Sequence, residues 1–167
     1  MSGLGDLEES LFIASPPRDV WRAVSRLNTM PQWSPQCRRT IVFGKVRPGT
    51  WIANVNNDGR IWWLTTARVV ACDENRMVAW RINENRMRWS YTVTPVVHGT
   101  QLTVRRSAVE GQSQLSRFLG DHVFGGNTKF DQRVLHGMRK TLSNIKKSLE
   151  RSPLPELADH SNPRNMQ

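Results

Sequence analysis

Arg105 and Arg106 are adjacent in Thr100–Val109, a run that alternates like a strand. Neighbouring strand residues point to opposite faces, so one of the two arginines faces inward. Leu102, Val104 and Ala108 share the parity of Arg106, which selects Arg106. A buried guanidinium needs an acceptor, from the protein or from a ligand. As an anchor it would hold a carboxylate, an enolate or a carbonyl oxygen, because a fixed cation stabilises a developing oxyanion. The plainer alternative is a rim position where Arg106 meets Glu110 or Asp121. Tyr91 is the only tyrosine, and its parity within Met87–Thr94 puts it on the same side. Its hydroxyl could bond a ligand or donate a proton. It could equally satisfy a backbone carbonyl in a core. Arg106 and Tyr91 are the candidate catalytic pair.

His122, beside Asp121, falls where the mouth of an interior would lie, which is where a general base would be needed. An exposed loop histidine fits the same position. No two histidines, and no Cys-His pair, have metal-ligand spacing, so no metal is expected. There is no glycine-rich phosphate loop, nucleophile elbow or pair of catalytic carboxylates, and no cofactor is expected. Seven tryptophans are present. Those at inward strand positions read as core or cavity wall; a stacking platform for single-stranded nucleic acid would need exposed aromatics between basic residues. Arg60–Trp63 and Arg86–Trp89 have that local look, but alternation turns Trp63 and Trp89 away from the arginines.

These residues must be positioned by a curved sheet and one long helix. In Lys129–Glu150, Phe130, Val134, Met138, Leu142, Ile145 and Leu149 follow at steps of four, four, four, three and four. That spacing predicts an apolar helical face about 33 Å long. Pro153 and Pro155 end it. Before it come six β-like segments: Arg38–Lys45, Thr50–Asn56, Ile61–Cys72, Arg76–Asn83, Met87–Val97 and Thr100–Val109. Turn residues such as Asn57-Asp58-Gly59 and His98-Gly99 separate them, which predicts an antiparallel meander. Glu8–Ala14 adds a first strand. Ser15 then reads as the N-cap of a helix over Arg18–Leu27, with Pro17 in its first turn. A second helical turn is expected over Asn28–Trp33, and a further short helix over Gln114–His122. Alternation places Trp51 and Val55 inward, then Trp63, Thr65, Ala67 and Val69, then Val78, Trp80 and Ile82, then Met87, Trp89, Tyr91 and Val93. Trp62 points outward, at a sheet edge or in an exposed patch that would suit a homodimer.

The chain has 167 residues and a formal charge of +10. Its length suits one domain over residues 1–150, with a disordered polar tail at 151–167. The charge is spread along the chain, as on a solvated surface. No block of like charges or nucleic-acid signature accompanies it, which argues against nucleic acid. No run approaches ~18 apolar residues, so no transmembrane segment is expected. The N-terminus does not read as a secretory signal, and two cysteines are too few for a disulfide framework. A cytoplasmic location follows as the expectation.

The order of strand, two short helices, six-strand meander and long helix is that of the helix-grip fold. The segment Ala14-Ser15-Pro16-Pro17-Arg18-Asp19-Val20-Trp21 resembles the strand-to-helix entry of the START-like (SRPBCC) superfamily. Met30-Pro31-Gln32-Trp33-Ser34-Pro35-Gln36-Cys37 resembles the passage after its first helices. Gly137-Met138-Arg139-Lys140-Thr141-Leu142, with Ile145-Lys146, is similar to the end of the last helix in bacterial members. The branch most resembled is polyketide cyclase/dehydrase and lipid transport. The resemblance implies an α+β fold, with a seven-stranded curved sheet around a long C-terminal helix. It also implies a deep apolar cavity. The faces assigned above would line it with Trp51, Trp63, Trp80, Met87, Trp89, Tyr91, Val104 and Arg106, with His122 near the mouth and Phe130, Val134 and Met138 on the helix. The expected function is binding or carrying a hydrophobic or aromatic small molecule, such as a polyketide, lipid or isoprenoid. One alternative is a cyclase, aromatase or dehydratase using Arg106 and Tyr91. Another is a basic domain that binds protein or nucleic acid.

Overall fold

A computed structural model describes residues 6–108 and 128–151, apart from the side chains of 128–130. The chain order is β1 (Leu7–Ile13), α1 (Pro17–Ser25), a 3-10 turn (Leu27–Thr29), α2 (Met30–Trp33), β2 (Cys37–Val42), β3 (Trp51–Asn57), β4 (Trp62–Asp73), β5 (Met77–Ile82), β6 (Met87–Val96), β7 (Gly99–Ala108) and α3 (Thr128–Arg151). The expected elements are present within a few residues of their expected bounds. The segment 109–127, with the helix expected at Gln114–His122, and the tail beyond Arg151 lie outside the described residues.

The seven strands form one antiparallel sheet in the order β1-β7-β6-β5-β4-β3-β2. Two bulges, at Cys37/Arg39 in β2 and Val69/Ala71 in β4, insert an extra residue and increase the local bend. The sheet wraps α3, as expected for the helix-grip architecture. α3 turns Met138, Leu142 and Ile145 fully into the core and Val134 and Leu149 partly. Each fully buried aliphatic contributes about 1.5–3 kcal/mol relative to exposure.

The two ends of this interior differ. At one end, α1 lays Val20, Trp21 and Val24 against β5–β7, and Ile13, Val93, Leu102, Leu142 and Ile145 fill the space. The last turn of α3 is tied down there. Lys146 Nζ donates to the Phe12 carbonyl at 2.9 Å, and Glu150 Oε1 accepts from Ala14 N at 2.8 Å. Lys146 and that backbone N–H hold the Glu150 carboxyl below its usual pKa. At the other end, the β3–β4 and β5–β6 turns and the start of α3 come together, and Trp63, Met87, Trp89 and Val134 are only half-buried on the inner side.

Two local readings are corrected. The N-cap of α1 is Pro16, with no side-chain cap bond, not Ser15. Ser15 lies one residue before that cap, is buried, and its carbonyl accepts the Thr100 hydroxyl at 2.8 Å. In β3, Ile52 and Asn54 face inward instead of Trp51 and Val55. Trp51 pairs with Arg68 and Ile52 with Ala67, and cross-strand partners share a face. Arg68 is outward, so Trp51 must be outward too. It is 44 % exposed and lies under the Arg68 guanidinium at 4.4 Å, a cation–π contact.

Candidate functional site

The half-buried end collects most of the residues singled out in the sequence. β6 and β5 place Met87, Trp89, Tyr91 and Trp80 on the inner face, and β7 adds Val104 and Arg106. Pairing sets Trp89 directly across from Arg106, Tyr91 across from Val104, and Trp80 across from Trp89. β4 contributes Trp63 from the other side, and α3 contributes Val134 and Met138. Trp51 is not part of this surface. Phe130 lies within α3 with its side chain outside the described set, and His122 falls in the undescribed segment.

Arg106 is inward, its side chain 13 % exposed, with Nη1 3.7 Å from Asp131 Oδ1 on α3. Burial lowers the guanidinium pKa and the Asp131 charge raises it. An arginine stays charged under such opposed influences. The acid facing it is thus one helical turn from Val134, whereas Glu110 and Asp121, the acids considered in the sequence, lie outside the described residues.

Tyr91 is 6 % exposed, its ring 5.6 Å from that of Trp80 and tilted by 46°. Burial, with Cys37 adding to it, drives the phenol pKa well above its ordinary value. At neutral pH the group can donate a hydrogen bond but cannot accept a proton as a phenolate. Trp80 is buried beside it, whereas Trp63, Met87 and Trp89 keep part of their surface open.

The facing wall carries polar groups that parity counting did not find. Cys37, Thr40 and Asn54 are buried on β2 and β3. Cys37 Sγ and Thr40 Oγ1 are 3.2 Å apart, and Thr40 Oγ1 donates to Asn54 Oδ1 at 2.9 Å. Asn56 Nδ2 donates to Thr65 Oγ1 at 3.2 Å beside them. Desolvation raises the Cys37 thiol pKa, which makes it a poor nucleophile. The interior thus has one aromatic wall with a cation at its edge and one wall of neutral hydrogen-bonding groups. Among the described residues no cluster of His, Cys, Asp and Glu could hold a metal ion. Of the other histidines, His98 is in the β6–β7 turn and His136 is exposed on the outer side of α3.

The match to known proteins follows this geometry. A model of the family described as polyketide cyclase/dehydrase and lipid transport matches residues 5–150. The chain belongs to that family. No protein of curated function matches it in sequence. A polyketide-cyclase-like protein from Corynebacterium glutamicum shares 25 % identity over 87 % of this chain and 91 % of its own, with a TM-score of 0.59. The di-domain aromatase/cyclase StfQ of the steffimycin biosynthetic pathway is 15 % identical over 87 % of this chain, with a TM-score of 0.68. The match spans only 50 % of StfQ. The Aha1 dimer from Colwellia psychrerythraea is 15 % identical, covers 87 % of this chain and 96 % of its own, and has a TM-score of 0.61. At 15 % identity the last two establish the shared fold alone. Among the described residues no helix is long and apolar enough to cross a membrane.

Proposed function

We propose that this family member binds a hydrophobic or aromatic small molecule, of polyketide-, lipid- or isoprenoid-like character, between the sheet and α3, as a carrier or binding protein. The observation that carries this reading is the half-buried apolar surface of Trp63, Met87 and Trp89 at one end of an interior whose other residues form a buried apolar cluster. Apolar walls with a few placed polar groups are what small-molecule sites look like. Arg106 at the edge of that surface would orient a carbonyl or hydroxyl of the ligand, and Tyr91 would donate to an oxygen deeper in.

Two features favour binding over cyclase or dehydratase chemistry. Asp131 already offsets the charge that would stabilise an enolate. The raised phenol pKa of Tyr91 suits a hydrogen-bond donor better than a proton relay.

The test is native mass spectrometry of protein purified from its own host, followed by extraction of what it retains. The expected result is an apolar molecule at near one per chain. Arg106→Leu should then keep most of the affinity for a neutral apolar ligand. Loss of turnover on a polyketide substrate in that variant would establish the cyclase reading instead. A protein that retains nothing and takes up no hydrophobic dye would overturn both.

A further inference from the structure

The β3–β4 hairpin stands at the half-buried end of the interior and presents apolar side chains to solvent. Ile61 is 63 % exposed, Trp62 64 % and Leu64 73 %. Trp62 and Leu64 point away from the interior, because Trp63 between them points into it. Among the described residues nothing packs over these apolar groups, and an exposed patch of this kind marks a contact surface.

Its neighbours are cationic. Arg60 precedes the hairpin's apolar residues. Arg86 and Arg88 belong to the β5–β6 turn and the start of β6, which the antiparallel order puts at the same end. From Arg38 to Ala71 the chain has six Lys and Arg and a single acid, Asp58. Among the described residues, three acids near the hairpin and Arg106 are engaged within the fold. Asp58 Oδ1 accepts from Arg60 N and Ile61 N, Glu84 Oε1 accepts from Thr66 N and Oγ1, and Asp131 pairs with Arg106. What this end turns outward therefore includes the aliphatic groups of Ile61 and Leu64, the Trp62 indole and the guanidinium groups of Arg60 and Arg86.

We propose that this end docks on an anionic lipid surface, with Trp62 and Leu64 in the bilayer interface and Arg60, Arg86 and Arg88 on lipid phosphates. Indole rings favour the headgroup level, and arginines near an anionic leaflet each add to the attraction. A second copy of the chain is a poorer partner, since a two-fold contact here would bring the same arginines together. Single-stranded nucleic acid is poorer too, because bases stack on aromatic faces and Ile61 and Leu64 offer none. The inference rests on the proposed apolar ligand in giving the contact a purpose: the molecule would pass between bilayer and interior without crossing water.

Co-sedimentation of the full chain with phosphatidylcholine vesicles, with and without phosphatidylserine, tests it. Binding should need phosphatidylserine and weaken as salt is raised. Replacing Arg60, Arg86 and Arg88 by Gln should weaken it about fivefold for each charge removed. Trp62→Ser with Leu64→Ser should weaken it about tenfold, with an unchanged melting temperature since both residues are exposed. No sedimentation with phosphatidylserine vesicles at low salt would overturn the proposal. So would binding that the Trp62/Leu64 variant retains, or a dimer dissolved by that variant in a chain that ignores vesicles. Nile red uptake without vesicles reports the interior separately, and the hairpin variants should keep it. Dye uptake without vesicle binding would sink the docking alone; vesicle binding without dye uptake would sink the ligand reading and leave the docking standing.

Discussion

The two ends of the interior are made from the same strands and the same helix, yet they are built differently. At the closed end, Ile13, Leu102 and Ile145 are fully buried, α1 lies over this end, and α3 is bonded to Phe12 at the end of β1 and to Ala14 just after it. At the open end, Trp63, Met87, Trp89 and Val134 keep part of their surface, and the inward polar groups include an ion pair. A core packed throughout would be more stable, because each apolar group left half-buried forgoes part of its transfer free energy. The contrast separates an end packed for stability from an end that leaves part of its apolar surface accessible.

The division can be broken from the closed end first. Ile145→Ala removes a fully buried side chain from the core. It should cost about 2–5 kcal/mol, read as a shift in the urea midpoint. Gly99→Ala should follow. A Cβ there would meet the Ile13 carbonyl oxygen at 2.4 Å, a backbone atom that cannot swing aside, so β1 and β7 must part. Overpacking of this kind costs about 1–3 kcal/mol. At the open end Trp63→Ala should cost less than either, under about 2 kcal/mol in urea despite the larger deletion. It should instead change Nile red uptake, which Gly99→Ala leaves alone once stability is allowed for. A Trp63 variant as unstable as Ile145→Ala would erase the distinction.

The smallest effect is on Tyr91, between the two ends. Its phenol pKa is raised by burial and by Cys37. The unfolded chain releases the proton near pH 10 while the fold still holds it. The stability tied to this group is therefore intact below about pH 10 and declines above it. Tyr91→Phe should change little at neutral pH and flatten the alkaline loss in a pH series of urea melts. An unchanged alkaline profile would show that Tyr91 is not the residue responsible.

Much of the fold was legible because its periods are clean. The apolar steps of α3 and the alternation of β5, β6 and β7 placed Met138, Trp80, Trp89, Tyr91 and Arg106 on the inner side, where they stand. Trp51 shows where counting apolar residues misleads. In Trp51–Asn57 the more apolar parity is the outward one, and the inward parity carries Ile52, Asn54 and Asn56. The hairpin would have corrected this. With Trp63 inward, any even-numbered loop between β3 and β4 puts Trp51 opposite the outward parity of β4, as Trp51 pairing with Arg68 shows. The polar group of Cys37, Thr40 and Asn54 stayed hidden for the same reason. Asp131 could not be matched to Arg106 from sequence, because only the seating of α3 on the sheet brings them together.

The position of β1 bears on how the chain is made. Among the described residues its only sheet neighbour is β7, and Ser10 bonds Thr103 across 93 residues of sequence. Strands β2 to β7 can zip as successive hairpins while the chain emerges from the ribosome. β1 is synthesised first and must wait for β7 before it has a partner, and loop closure on that scale slows folding. Until then the nascent chain carries an unpaired strand with Leu7, Leu11 and Ile13 uncovered, which is the segment a chaperone would have to guard.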